Sequence, residues 1–316
     1  MRYSLLSRFR GALLGSFVGE LMGCVGCKSP VLGGVAIAPN QPGESQLSPT
    51  LSPWSQLATC GVQSLIRCGR VDLDDWWHLF GKTQSSLLLQ SAATSSEAVL
   101  ATLPIALFFH EDSIKLRQQL QQAAAIWHHQ PETLDGVLAV AYAIALALTE
   151  KLDCTTLIPR ILDYLGTSDT PVVHQLTQVH TLLQQGVGLN TTLTQLRREV
   201  QSRGEPLGRS DISIALAFYC FLTTPEEFRL CVSRAARIRH HPQITTAITG
   251  ALAGVYNSLA GIPVSWRLAI NRLNNGILMQ EAADHLLESW AGVYNVSESA
   301  QSQRLAVAAP HVIQPR

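Results

Sequence analysis

Two histidine pairs, His128-His129 and His240-His241, are the residues of this chain best suited to zinc, because imidazole nitrogen is a good ligand for that ion. Adjacent residues on a helix point about 100° apart, so neither pair easily places both rings on one metal. They read as surface or internally satisfied histidines. Cys24 and Cys27 have the separation of redox and zinc-knuckle cysteines, but no second Cys pair or Cys/His pair follows at zinc-site distance. They read as two thiols at a helix end. Arg234, Arg237 and Arg239 stand with His240 and His241 ahead of a helix from Gln243, and a helix N-terminus beside arginine attracts anions. The competing reading pairs Arg234 and Arg237 with Glu226, Glu227 or other acids on a solvent face. Trp76, Trp77 and Trp127 have the chemistry of a base-stacking platform. At Val71 to Phe80 they fit a helix interface better, since Asp72, Asp74 and Asp75 mark a first turn.

The elements that carry these residues are set by composition and period. With 316 residues the chain has enough material for a large core. Its 23 basic residues equal its 23 acidic ones, so the basic excess of a non-specific nucleic-acid or anionic-membrane binder is missing. The longest apolar run, Val137 to Leu148, falls short of the ~20 residues of a membrane-spanning helix and is expected to be a buried helix. Arg2, Arg8 and Arg10 ahead of an apolar stretch imitate a signal peptide, and Glu20 interrupts that stretch. Seven cysteines at irregular spacing give no disulfide framework, so a reduced, cytoplasmic protein is expected.

Phe9, Leu13, Phe17 and Leu21 recur every four residues, with Gly11, Gly15, Gly19 and Gly23 as a second row. Four glycines weaken a helix by about 1 kcal/mol each relative to alanine, so another helix is expected to pack closely against that row. Residues 28–53 hold five prolines and no period, and are expected to form a long loop. From residue 55 the period is helical over 55–68, 72–91, 95–109, 113–129, 133–150, 154–165, 170–186, 190–202, 209–222, 225–238, 243–260, 264–274 and 278–289. Ser113, Thr133, Thr155 and Thr170 are the expected N-caps, Gly69, Gly166 and Gly186 the C-caps, and Pro171 and Pro225 first-turn residues. The expectation is an all-α single domain over 1–296 and a loose tail over 297–316.

The segment from Arg8 to Gly23 closely resembles the opening helix of the ADP-ribosylglycohydrolase family, which ends in Gly-Asp-Ala-Leu-Gly. Ile248 to Gly254 resembles the helix after that family's late Asp-x-Asp-Thr metal motif. Weaker likenesses fall in the same order. Ser55 to Ala58 with Gln63 to Leu65 resembles the helix after the early Thr-Asp-Asp-Thr motif, Ala98 to Pro104 the segment ending in Met-Arg-x-x-Pro, and Trp127 to Pro131 the Thr-His-x-x-Pro turn. The likeness implies an orthogonally packed, all-helical domain. In active relatives it would hold a magnesium pair and release ADP-ribose from a protein side chain or small molecule.

Magnesium needs hard oxygen ligands, and a binuclear centre needs several carboxylates. At the early motif the matching residues are Ser52, Pro53, Trp54 and Ser55; at the late motif they are His241, Pro242, Gln243 and Ile244, preceded by Arg239 and His240. The metal aspartates are thus replaced by groups that bring no negative charge, and Trp54 is bulky enough to plug the old cavity. The Gly-Asn-Gly segment that accompanies substrate reads Ser95, Ser96, Glu97, and the Met-Arg pair reads Leu100, Ala101. Hydrolysis by two carboxylates would fall to Glu20 and Glu97, although Glu20 is equally suited to capping a neighbouring backbone or pairing with an arginine.

The expectation is a catalytically inactive member of this fold that needs no cofactor and serves as a binding or regulatory module. Its partner would be another protein or an ADP-ribose-like ligand, with no nucleic acid and no membrane span. The remnant cleft would draw on Glu20, Ser52, Trp54, Ser55, Glu97, His128, Arg239, His240, His241 and Gln243. The alternatives are a divergent hydrolase with a remodelled site and a structural subunit of an assembly.

Overall fold

Gly11, Gly15 and Gly19 have backbone where other residues would need space for a side chain. A Cβ on Gly15 would lie 2.3 Å from the Gly250 carbonyl oxygen, and one on Gly254 would lie 2.0 Å from that of Gly11. Helices α1 (Leu5–Val25) and α12 (Pro242–Gly261) therefore meet backbone to backbone along two facing glycine rows. This is the close partner that the glycine spacing predicts. The structure, a computed structural model, describes residues 3–25, 52–83, 94–124, 131–202, 211–238, 240–272 and 275–293.

Around the α1–α12 pair the other helices complete an all-α fold. Among the described residues they are α2 (Pro53–Cys68), α3 (Leu73–Thr83), α4 (Ser95–Phe108), α5 (Ser113–Ala123), α6 (Pro131–Leu148), α7 (Leu157–Leu165), α8 (Pro171–Gln184), α9 (Leu189–Ser202), α10 (Ser213–Thr223), α11 (Phe228–Ala236), α13 (Val264–Asn271) and α14 (Asn275–Trp290). α14 and α11 flank α1; α4 packs on α2 and α6; α10 packs on α12 and α8. Helix α6 is long and apolar enough to cross a membrane, yet it is mostly buried against α4, α5 and α7. Two arginines fix α1 in place. Arg8 donates to the Ala147 carbonyl near the end of α6 and pairs with Glu150 at 2.6 Å. Arg10 grips both oxygens of Asp284 on α14 at 2.6 Å, a fork matched to a carboxylate.

Several boundaries differ from the sequence expectation. The expected 28–53 loop overlaps the start of α2: Ser52 is its N-cap and Pro53 its first residue, a pairing of cap hydroxyl and missing N–H that favours helix initiation. The rest of that loop lies outside the described residues, as does the 297–316 tail. Asp112 rather than Ser113 caps α5, because its carboxylate accepts from the N–H groups of Ile114 and Lys115. Thr133 lies inside α6, which starts at Pro131, and α7 is preceded by Thr156 rather than Thr155. Thr170 does precede α8, but its hydroxyl donates to Asp135 at 2.7 Å instead of capping. Helix α11 starts at Phe228, so Pro225 is outside it and its carbonyl accepts from Asn257. Gly69, Gly166 and Gly186 all have positive φ, as helix stops require.

Candidate functional site

Three chain segments far apart in sequence converge on one carboxyl group. Glu20 is 2% exposed, near the end of α1 and between Gly19 and Gly23. Those glycines let α12 come so close that a Cβ on Gly23 would lie 2.4 Å from the Gln243 Cα. Gln243, in the first turn of α12, consequently reaches Glu20, its Nε2 donating to Oε1 at 3.2 Å. From the other side the start of α2 supplies two donors. The Ser52 N–H donates to Glu20 Oε1, and the Ser55 hydroxyl donates to Oε2 at 2.5 Å. Ser52 Oγ in turn donates to Ser55 Oγ at 3.1 Å and accepts from the Ser55 N–H, which closes the helix cap. The carboxyl group acts as an acceptor hub that joins the starts of α2 and α12 to the end of α1.

Beside this hub the walls enclose about 30 Å³, lined by Phe17, Glu20, Ser55, Thr59, Leu100 and other residues. That is room for about one water molecule. Trp54 is buried in the hydrophobic core and does not line this space.

The remaining candidates are dispersed. Glu97 turns back on its own helix, its Oε2 accepting from the Thr94 N–H at 2.8 Å and from the Thr94 hydroxyl at 2.9 Å. It forms a capping box with Thr94. Each carboxyl of the expected pair is thus committed to a different helix start, which does not fit a pair of glycosidic carboxylates facing one bond. His128 and Arg239 lie outside the described residues, and so do His129, Trp127 and Cys27. His240 and His241 sit edge to face with ring centroids 4.6 Å apart. His241 takes a left-handed conformation, φ 38°, that starts α12. His240 Nε2 is buried without a hydrogen-bond partner, and burial, aided by His241, pushes its imidazole down to about 4 against the pull of Asp211. Among the described residues no group of three or more His, Cys, Asp or Glu is placed to hold a metal. Among the described residues neither Arg234 nor Arg237 forms an ion pair with Glu226, Glu227 or another acid, and both line a separate cavity.

Two buried acids, Asp135 and Asp211, lie outside the residues that the sequence singles out. Asp211 is 5% exposed and accepts from the Ser96 N–H of α4 and the Ser213 N–H of α10, both at 2.9 Å. It ties two helix starts together beside His240. Its signal was present in Ser210-Asp211-Ile212-Ser213, a cap-like run just before an apolar helix.

A family model, ADP-ribosylglycohydrolase, matches residues 1–296. The chain belongs to the ADP-ribosylglycohydrolase family. A solved structure described as an ADP-ribosylglycohydrolase-related protein complex is similar to this family member over 90% of this chain and 99% of that chain, with a TM-score of 0.64 and 18% identity. At that identity the likeness shows the fold. No curated protein matches the chain.

Active members of the ADP-ribosylglycohydrolase family would carry magnesium, so the donors at the junction of α1, α2 and α12 can be tested against that ion. Magnesium requires near-octahedral oxygen ligands with net negative charge. Among the described residues the junction offers one carboxyl group, and its oxygens already accept three protein hydrogen bonds. The Ser52 N–H and the Gln243 amide point donors into the same space. These residues do not fit a magnesium pair.

Proposed function

We propose that this chain is a catalytically inactive member of the ADP-ribosylglycohydrolase family that acts as a binding or regulatory module. One observation carries the reading: the Glu20 carboxyl is enclosed by donors from α2 and α12. In a metal-dependent hydrolase, cations would hold opposed carboxylates together at such a junction. Here one carboxyl group and its donors join the same segments, in place of several opposed carboxylates that would need a cation between them. The committed partners of Glu97 support the same reading, because a general acid must be free to reach the leaving group.

The test is an assay of ADP-ribose release from ADP-ribosylated arginine with excess magnesium or manganese, run beside calorimetric titration of each metal. The expected result is no turnover above buffer and no saturable metal binding. Turnover that a chelator abolishes would establish the divergent-hydrolase alternative instead.

A further inference from the structure

Away from Glu20, a cavity of about 520 Å³ lies between the α8–α9 turn and the ends of α10 and α11. Arg234 and Arg237, three residues apart and therefore neighbours on α11 and its cap, both line it. Among the described residues no carboxylate lines it, and neither guanidinium has a hydrogen bond or ion pair with any of them. Two adjacent cations in a concavity repel each other unless an anion joins them. The opposite wall is the first turn of α9, which carries no acidic residue. Its first helical bond runs from the Thr192 N–H to the Gly188 carbonyl at 3.0 Å, leaving the N–H groups of Leu189, Asn190 and Thr191 without acceptors among the described residues. An added Cβ on Gly186 or Gly188 would meet nothing within 4 Å, so the backbone there is open to a ligand.

The volume lies within the about 300–1,000 Å³ usual for small-molecule sites and exceeds what a bare phosphate fills. Leu183, Leu193 and Ile238 give it an apolar wall, and Tyr219 is fixed by its hydroxyl donating to the Val187 carbonyl at 2.5 Å. We propose that this cavity binds a phosphorylated small molecule. The phosphate is held between the two guanidinium groups and the α9 amides, and its organic part lies on the apolar wall. None of its residues belongs to the Glu20 junction, so this proposal and the loss of catalysis stand or fall separately.

The test is titration calorimetry of the full chain at low salt with inorganic phosphate and AMP as probes. Saturable one-to-one binding of both is expected, with AMP at least tenfold tighter. R234Q and R237Q should each weaken binding by about tenfold, the loss of one charge-assisted contact. R160Q, which removes a charge on α7 that does not line the cavity, should leave it unchanged. Arg237 is exposed, so R237Q keeps the test valid even if R234Q fails to fold. Absence of saturable heat with either probe, or equal affinity in R237Q, would overturn the proposal. AMP no tighter than phosphate would overturn the role of the apolar wall.

Discussion

Gln243 Nε2 lies 3.2 Å from Glu20 Oε1, a hydrogen bond between residues 223 positions apart in the chain. With the Ser52 N–H and Ser55 hydroxyl it makes three donors aimed at one side chain that is 2% exposed. Substituting Glu20→Gln would place an amide N–H₂ against at least one of those donors. Each buried donor left without an acceptor costs about 1–3 kcal/mol, so E20Q should lose about 2–3 kcal/mol in urea unfolding. Unchanged stability would show that the carboxyl does not join the segments.

The expected all-α class and the close partner of α1 were legible because both are periodic. Phe9, Leu13 and Phe17 repeat at helical spacing, and a glycine row has few uses other than close backbone approach. The junction was legible only in its parts. The prolines upstream have no period, which predicts a loop through Ser52 and Pro53, although a Ser-Pro pair is itself a helix start. Gln243 is legible as a cleft residue only through the family likeness, and its bond to Glu20 is not, since that partner is chosen by how α12 crosses α1. Asp135 gives no local signal, because its donors come from the distant Ser168 and Thr170; Asp211 shows a cap-like local run but not its reach to Ser96. Periodicity shows which face is buried, but not which polar groups meet there.

The glycine interface predicts a steep penalty for one methyl group. A Cβ on Gly250 would stand 2.0 Å from the Gly15 carbonyl oxygen, and the obstacle is helix backbone, which cannot rotate aside. Gly250→Ala should therefore force α1 and α12 apart and cost about 3 kcal/mol despite alanine's better helix propensity. Gly81, exposed on α3 with no atom near its would-be Cβ, is the control. Gly81→Ala should leave stability unchanged or raise it by up to about 1 kcal/mol. Parallel urea titrations of the two variants decide the matter.

Asp211 accepts the Ser96 and Ser213 N–H groups with separate oxygens, so it completes the starts of α4 and α10 at once. Asp211→Ala leaves two buried donors unmet and should cost about 3 kcal/mol. Asp211→Asn keeps one acceptor oxygen and should recover part of that loss. A D211A protein as stable as wild type would mean that α4 and α10 find other caps.

His240 makes acid stability directional. Its folded imidazole is pushed down to about 4 from the ordinary 6.5, so the unfolded chain binds a proton that the folded chain refuses. The stabilising contribution is complete above about pH 6.5 and drains away as the pH falls toward 4. His240→Gln removes the titrating group. Its unfolding midpoint should fall less steeply than that of wild type across this window. Parallel slopes would place the acid sensitivity elsewhere, and a ring resonance titrating near 6.5 would show that His240 is solvated.

Ser258 carries φ 61° and ψ −177° inside α12, a conformation open to glycine and strained for other residues. The bend it makes is held from both sides: Asn257 Nδ2 donates to the Pro225 carbonyl at 2.7 Å, and the Ser258 backbone lies against Gly11 of α1. Packing over-determines the kink, so the strain persists instead of relaxing. Ser258→Gly relieves it at the cost of a looser unfolded chain and one local bond, in which Ser258 Oγ accepts from the Ala260 N–H at 3.2 Å. Strain of about 1–3 kcal/mol outweighs those losses. The variant should be more stable by about 1 kcal/mol in urea unfolding, which is unusual for a substitution at a fully buried site. A loss of stability would mean that the serine hydroxyl, not the backbone bend, is what this position contributes.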